Sequence, residues 1–324
     1  MSYSKHTLAR FQSLLALVLM IIGLSLAAEN FLTVDNGMNV LRQISINLCL
    51  SIGMTLVILS GGIDLSVGSV LALAGALAAG LLKNGLTLER FGVLIQFTPF
   101  GAVLVGVAVG LAAGFVNGVA ITRFSLPPFV ATLGMLSIAR GFTMLWTGGF
   151  PITGLGHAFG SLGTGQWLGV PMPVWISAVL ALAFFAVTRR TPFGRYLYAV
   201  GGNERAAALS GLNVNRIKLQ VYTLGGGLAG VAGLLATARL DSATPNAGMG
   251  YELDSIAAVV IGGTSLSGGR GSILGTVLGC LIIGVLNNGL VLLEVSPFWQ
   301  QVIKGVVILV AVAIDKAAKS PGRD

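Results

Sequence analysis

Residues 38–82 read MNVLRQISINLCLSIGMTLVILSGGIDLSVGSVLALAGALAAGLL. Two apolar runs, Met38–Ser60 and Leu65–Leu82, flank an interruption built of glycine, aspartate and serine. A helix crossing the hydrocarbon core of a bilayer needs about 20 mostly apolar residues, and each run is close to that length. Arg42 is the one formal charge within either run. The stretch reads as two membrane-spanning helices joined through a break.

The same pattern extends along the chain. Further apolar runs are Phe11–Ala28, Pro99–Ile121, Leu126–Thr147, Val174–Thr188, Leu219–Arg239, Leu253–Ile261, Ile273–Leu293 and Pro297–Ile314. Val174–Thr188 extends through Pro171, and Leu253–Ile261 is short enough to read as a half-helix or broken span. Of the 324 residues, 55% are hydrophobic and 47 are glycine, while 9% are charged. Soluble domains carry about 25% charge, so a water-facing globule is excluded. No segment is polar enough for a soluble appendage. The expectation is an all-α polytopic membrane protein of about ten spans, with residues 1–324 as one transmembrane domain. The first run follows Lys5 and Arg10 as a signal peptide would. It is long for a signal core and nine further segments follow, so an uncleaved span is the better reading. Cys49 and Cys280 lie in apolar runs without metal-ligand spacing.

The net charge of +8 is distributed unevenly. With the N-terminus inside, the inner segments hold Lys5, Arg10, Arg123, Arg189, Arg190, Arg195, Arg205, Arg216, Lys218, Arg270, Lys316, Lys319 and Arg323. The outer loops hold Lys83 and Arg90, with the acids Glu29, Asp35, Glu89, Asp241 and Glu294. Basic residues stay cytoplasmic, so both termini are expected inside, and the charge signals orientation rather than nucleic-acid binding. The most polar inner loop, Arg189–Lys218, is RRTPFGRYLYAVGGNERAAALSGLNVNRIK. Asn203 is placed to cap a short helix through Glu204, Ala206 and Ala207, and Gly211 to end it. Leu209 and Leu212 give that helix an apolar tip. It suits either docking into a groove of a cytoplasmic partner or lying on anionic headgroups of the membrane lipid.

Glycine recurs every four residues at Gly106, Gly110, Gly114 and Gly118, and again at Gly271, Gly275 and Gly279. Such stripes are packing faces that let helix backbones approach closely, within the bundle or across a dimer. More informative is a repeated octapeptide, G-G-x-[DS]-L-S-x-G. Gly61, Gly62, Asp64, Ser66 and Gly68 of the first copy correspond to Gly262, Gly263, Ser265, Ser267 and Gly269 of the second. Duplication in corresponding places is a mark of transporter architecture. The copies read either as hinge or gate elements beside a translocation path, or as tight turns between helices at the inner surface. Ten spans put the copies in parallel orientation, whereas a miscounted span near Leu253 inverts them.

Catalytic chemistry is poorly supported. There is no G-x-x-x-x-G-K-[ST] phosphate loop, His6 and His157 stand alone, and no serine sits in a nucleophile elbow. Asp64, Glu252 and Asp254 are the intramembrane carboxylates, each beside a span end or interruption, which is thin for a proton relay. Asn47, Asn117, Ser137, Asn287 and Asn288 are neutral polar residues in apolar runs. They read as a path for a hydroxylated neutral solute or as interhelical hydrogen bonds. Arg140 lies toward the outer end of its span, where it can snorkel, with no carboxylate partner in view. Arg239 and Lys304 likewise fall within spans or at their ends. Trp146, Trp167, Trp175 and Trp299 read as interface anchors.

The runs GGIDLSVGSV, TPFGRYLYAVGGNERAAALSGLNVNRIK, GYELDSIAAVVIGGTSLSGGRGSILGT and NNGLVLLEVSPFWQQVIKG together resemble the ribose-type sugar permease subunits of bacterial ABC importers. The resemblance covers nearly the whole chain. It implies an inner-membrane permease that pairs with a second permease copy and with a cytoplasmic ATPase of two tandem nucleotide-binding halves. A periplasmic sugar-binding protein would deliver the solute. ATP and Mg would be held by the ATPase, with no cofactor in this chain. Related permeases carry other pentoses, hexoses or autoinducer-2, and an ATP-independent carrier or facilitator is the rival class. Residues Glu204, Ala206, Ala207 and Gly211 would match the E-A-A…G coupling helix of importers, here with one residue inserted. On that resemblance the helix docks to the ATPase, and the small alanines at 206–208 allow close seating.

Overall fold

The computed structural model describes the backbone of residues 2–88 and 92–318, and side chains over 14–87 and 92–313. Lys5, His6, Arg10, Glu89, Arg90, Lys316, Lys319 and Arg323 lie outside the side chains described. The described chain is helical, in the order α1 (Ser2–Ala27), α2 (Val34–Leu59), α3 (Val67–Asn84), α4 (Pro99–Arg123), α5 (Pro128–Thr147), α6 (His157–Thr164) and α7 (Met172–Arg190). It continues with α8 (Pro192–Gly202), α9 (Glu204–Leu209), α10 (Val214–Leu240), α11 (Tyr251–Ile261), α12 (Ile273–Leu292) and α13 (Pro297–Ala318). Each of the ten apolar runs is a helix. Among the described residues, seven of these are long and apolar enough to cross a membrane, namely α2, α3, α4, α5, α7, α10 and α12. The described parts of α1 and α13, Leu14–Ala27 and Pro297–Ala313, are apolar as well. The short run is α11, at 11 residues about 16 Å long and thus half a span.

Burial separates an inner from an outer set. In α2, α3 and α10, 78% of the apolar window is buried, against 22–28% in α4, α5 and α7. The first three are therefore the protein interior, and the others turn most of their apolar surface outward, as helices bathed in lipid do. The glycine stripe of α4 is used entirely within the chain. A side-chain carbon at Gly110 would collide with the Gly226 carbonyl, one at Gly226 with the Gly110 carbonyl, and one at Gly114 with the Tyr222 carbonyl. The second stripe is used likewise, Gly275 against Gly262 and Gly279 against Ala258. Neither is free to form a dimer face.

Antiparallel packing of α4 on α10, with α8 and α9 between the end of α7 and the start of α10, gathers Arg123, Arg189, Arg190, Arg195, Arg205, Arg216, Lys218 and Arg270 at one end of the bundle, the basic end. At the opposite end are small ribbons absent from the hydropathy pattern. β1 (Leu86–Leu88) pairs with β2 (Val93–Ile95), β3 (Ile152–Thr153) with β6 (Ser242–Ala243), and β4 (Gln166–Trp167) with β5 (Val170–Pro171). Three tryptophans make specific contacts within the chain. Trp146 donates through Nε1 to the Ala76 carbonyl at 2.9 Å, tying α5 to α3. Trp167 and Trp175 meet edge to face at 5.0 Å.

The α4–α10 seam generates a prediction. Gly226→Val places a branched side chain against the backbone of α4, a form of overpacking that typically costs about 1–3 kcal/mol. We expect its melting temperature in detergent to fall by several degrees. Gly134→Ala, inside α5 where an added carbon meets nothing within 4 Å, should melt no lower than the unmodified chain, since alanine is the better helix former.

Candidate functional site

The basic end is built around α8 and α9. Thr191 caps α8 by accepting from the Gly194 N–H. Asn203 then caps α9, its Oδ1 accepting from the Ala206 N–H at 2.9 Å. Gly211 comes next at φ +84°, the left-handed geometry of a helix C-terminus, and the Leu212 N–H reaches back to the Ala207 carbonyl at 3.1 Å. Glu204 receives Lys218 Nζ at 2.7 Å, which fastens α9 to the start of α10. The caps expected at Asn203 and Gly211 are thus present. The seating expected of Ala207 is not. Ala207 is buried within this chain against Leu197, Val200, Val214 and Ile217, because it lies on the face of α9 turned to the bundle. The outward face carries Arg205, Ala208 and Leu209, and Leu209 is 91% exposed. Beside it a cleft of about 620 Å³ is lined by Glu204, Arg205, Ala208, Leu212, Asn213, Val214 and Asn215.

The two octapeptides meet one another. Each ends its preceding helix with a Schellman turn. The Gly62 N–H bonds to the Val57 carbonyl at 3.0 Å, and the Thr264 N–H to the Val259 carbonyl at 3.1 Å. Left-handed glycine falls on Gly61 in the first copy and on Gly263 in the second, so the caps are one residue out of step. Each copy then makes the same local bond. Asp64 Oδ1 accepts from the Ser66 N–H at 2.8 Å, and Ser265 Oγ from the Ser267 N–H at 3.3 Å. The copies touch where the Gly269 N–H donates to the Leu59 carbonyl at 3.0 Å and Gly268 lies on Gly61. Gly201 and Gly202 of α8 press on the same point, and Tyr198 Oη donates to the Gly271 carbonyl at 2.9 Å. In both copies the preceding helix runs toward the basic end and the next one away from it, the parallel orientation.

The copies differ on their C-terminal sides. Copy one leads directly into α3, whose Leu71 and Gly75 face Gly233 of α10. Helix α3 therefore starts inside the bundle, a few turns along α10 from the basic end. Copy two releases Arg270–Ser272 before α12, which Ser272 caps by accepting from the Gly275 N–H at 3.1 Å. The start of α11 also lies inside, where Gly248 abuts Gly68. Irregular backbone at that depth needs partners, and Arg140 supplies them. Its Nη1 donates to the carbonyls of Pro245 at 2.6 Å and Ala247 at 2.9 Å, so Arg140 is a clamp on the re-entrant segment rather than a snorkelling cation.

The polar residues expected along a path separate into several sites. Asn117 donates to Ser66 Oγ at 3.0 Å, which in turn bonds Asp64 at 2.6 Å. Asn47 accepts from Ser255 of α11 at 3.1 Å. Asn287 donates to Asp254 Oδ2 at 3.5 Å, while its own Oδ1 is buried without a partner, which typically costs about 1–3 kcal/mol. Asn288 exchanges bonds with Asn36 at 2.7 and 3.0 Å. Ser137 is exposed on α5, away from all of these. Sequence reading gave Lys304 no partner. It pairs with Asp254 at 3.0 Å across α11 and α13, and the signal available was a lone lysine within an apolar run.

Residues 36–312 match the family described as branched-chain amino acid transport system / permease component. The chain is 49% identical over 317 residues to the ribose import permease protein of Escherichia coli strain K12, covering 97% of this chain and 95% of that protein. It is 48% identical over 304 residues to the ribose import permease protein of Bacillus subtilis strain 168, covering 93% and 91%. It is 40% identical over 304 residues to the D-allose transport system permease protein of Escherichia coli strain K12, covering 94% and 90%. No solved structure matches.

The two faces of α9 should respond differently to substitution. Ala207→Trp forces an indole between α9 and the core beneath it, and we expect lower accumulation in membranes and a melting temperature several degrees down, since overpacking costs about 1–3 kcal/mol. Leu209→Asp should match the unmodified chain in both measurements. The opposite ranking would mean that Ala207 faces outward.

Proposed function

Because this chain belongs to the family of branched-chain amino acid transport system permease components, we propose that it is the membrane permease of a bacterial ABC importer with ribose as its cargo. The reading rests on one observation above the others. The capped helix α9 presents the apolar side chain of Leu209, 91% exposed, beside Arg205 at the basic end, in a chain 49% identical over 97% of its length to a ribose import permease. Under the positive-inside rule the basic end is cytoplasmic, so α9 faces the compartment that holds ATP. There Leu209 would enter a groove of the ATPase, with Arg205 and the adjoining cleft forming the rim.

The ATPase binds ATP and Mg and carries out the hydrolysis. A binding protein supplies ribose at the opposite end, and a second permease copy completes the path. Movement of α9 reaches the bundle through Gly201 and Gly202, which bear on the second octapeptide. The octapeptides act as hinges on this reading, and a partner shifts the bundle only by binding one of its conformations more tightly. Asn47, Asn117 and Asn287 would stay engaged between helices, offering the sugar transient hydrogen bonds at most.

Vesicles containing this chain, its ATPase and its binding protein should take up labelled ribose only when ATP is supplied. In that system Leu209→Asp should lower uptake at least about tenfold, a loss of about 1.4 kcal/mol or more in coupling, with unchanged insertion. Ribose uptake by the chain alone without ATP would replace this reading with a facilitator.

A further inference from the structure

Helix α11 is too short to cross a bilayer, and each of its ends is fixed to something distinct. At its basic end it runs into the second octapeptide, where Gly269 bonds Leu59 and Gly268 and Gly269 lie against Gly201 and Gly202. Those two glycines close α8, one residue before the Asn203 cap of α9. At its inner end, Asp254 Oδ2 accepts from Lys304 Nζ at 3.0 Å and from Asn287 Nδ2 at 3.5 Å. A side chain on α11 thus stands at the far end of a continuous line of contacts that starts at the exposed inner helix.

Lys304 is equally well placed. Residues 304, 307, 308, 311 and 312 form one helical stripe, and Val307, Ile308, Ala311 and Val312 pack onto the core. Lys304 is the charged end of that stripe. Uniform apolar residues would hold α13 to α11 without the desolvation penalty that two ions carry at this depth. What a charged pair adds is register: the carboxylate accepts where the ammonium stands, and sliding by one turn leaves both ions unpaired. The buried Asn287 Oδ1 beside them has no partner, so this polar node is satisfied on one side only in this conformation.

From this geometry we propose that Asp254 and Lys304 are a positioning pair, which sets the register of α11 against α13 and so carries movement of the inner helix to the middle of the bundle. The pair touches no cargo; it acts through α11. The proposal rests on the permease reading above.

The test uses the full chain with its ATPase and binding protein in vesicles, and measures ribose uptake over a range of ribose concentrations. Asp254→Asn and Lys304→Gln should each lower the maximal rate at least about tenfold while the half-saturating concentration stays within about twofold. The double variant Asp254→Asn/Lys304→Gln should lose no more than either single one, the non-additivity expected of groups that act as a unit. The exchange Asp254→Lys/Lys304→Asp, where it inserts, should recover much of the rate. A raised half-saturating concentration at an unchanged maximal rate would overturn the proposal, since the pair would then touch the sugar. Additive losses, or single variants with normal uptake, would also overturn it. Failure of the unmodified assembly to import ribose with ATP would instead sink the permease reading itself.

Discussion

The backbone of α4 lies directly on the backbone of α10, and most of the fold hangs from that contact. In lipid, apolar side chains gain nothing by leaving a hydrocarbon solvent for one another, so helices must be held by close fit. Glycine on both sides provides it, with Gly106, Gly110 and Gly114 meeting α10 at Leu234, Gly226, Gly230 and Tyr222. The seam makes a stiff block that also carries α3, whose Gly75 meets Gly233 on another side of α10. Helices α2 and α10 are then free to fill the interior. The broken elements are supported by this block, because chain that lacks helical hydrogen bonds survives at depth only against protein.

Much of this is legible in the residues. Ten apolar runs become ten helices because a chain in lipid must bond its backbone internally, leaving few alternatives for runs of that length. The short run at Leu253–Ile261 reads as a half-helix and is one, and Asn203 and Gly211 read as caps and are caps, since capping depends on neighbours within a turn. Family membership is legible too, from runs spread along nearly the whole chain.

The failures share a cause, which is that they depend on which way a side chain faces. Ala207 has the small size suited to a docking surface, yet the turn of α9 points it inward and Ala208 outward. Ser137 looks equivalent to Asn117 in an apolar run, yet Asn117 is buried and Ser137 exposed in the single chain. Arg140 offers no visible partner because its partners are carbonyls of residues about a hundred positions away. Main-chain acceptors leave no mark in a sequence. Nor is the pairing of Lys304 with Asp254 readable without the packing of α11 on α13. The ribbons at the far end escape for a related reason: strands of two or three residues are too short to show a period.

The two octapeptides share a pattern but not their moorings. In the first, α3 begins within the octapeptide at Val67, and Asn117 of α4 holds it through Ser66. In the second, Arg270–Ser272 stand between the octapeptide and α12 and are bonded to their surroundings, with the Ser265 N–H donating to the Arg270 carbonyl at 2.8 Å and Tyr198 Oη to the Gly271 carbonyl at 2.9 Å. Two like turns therefore have unlike neighbours, and a shift of α8 would pull directly on the chain leading into α12.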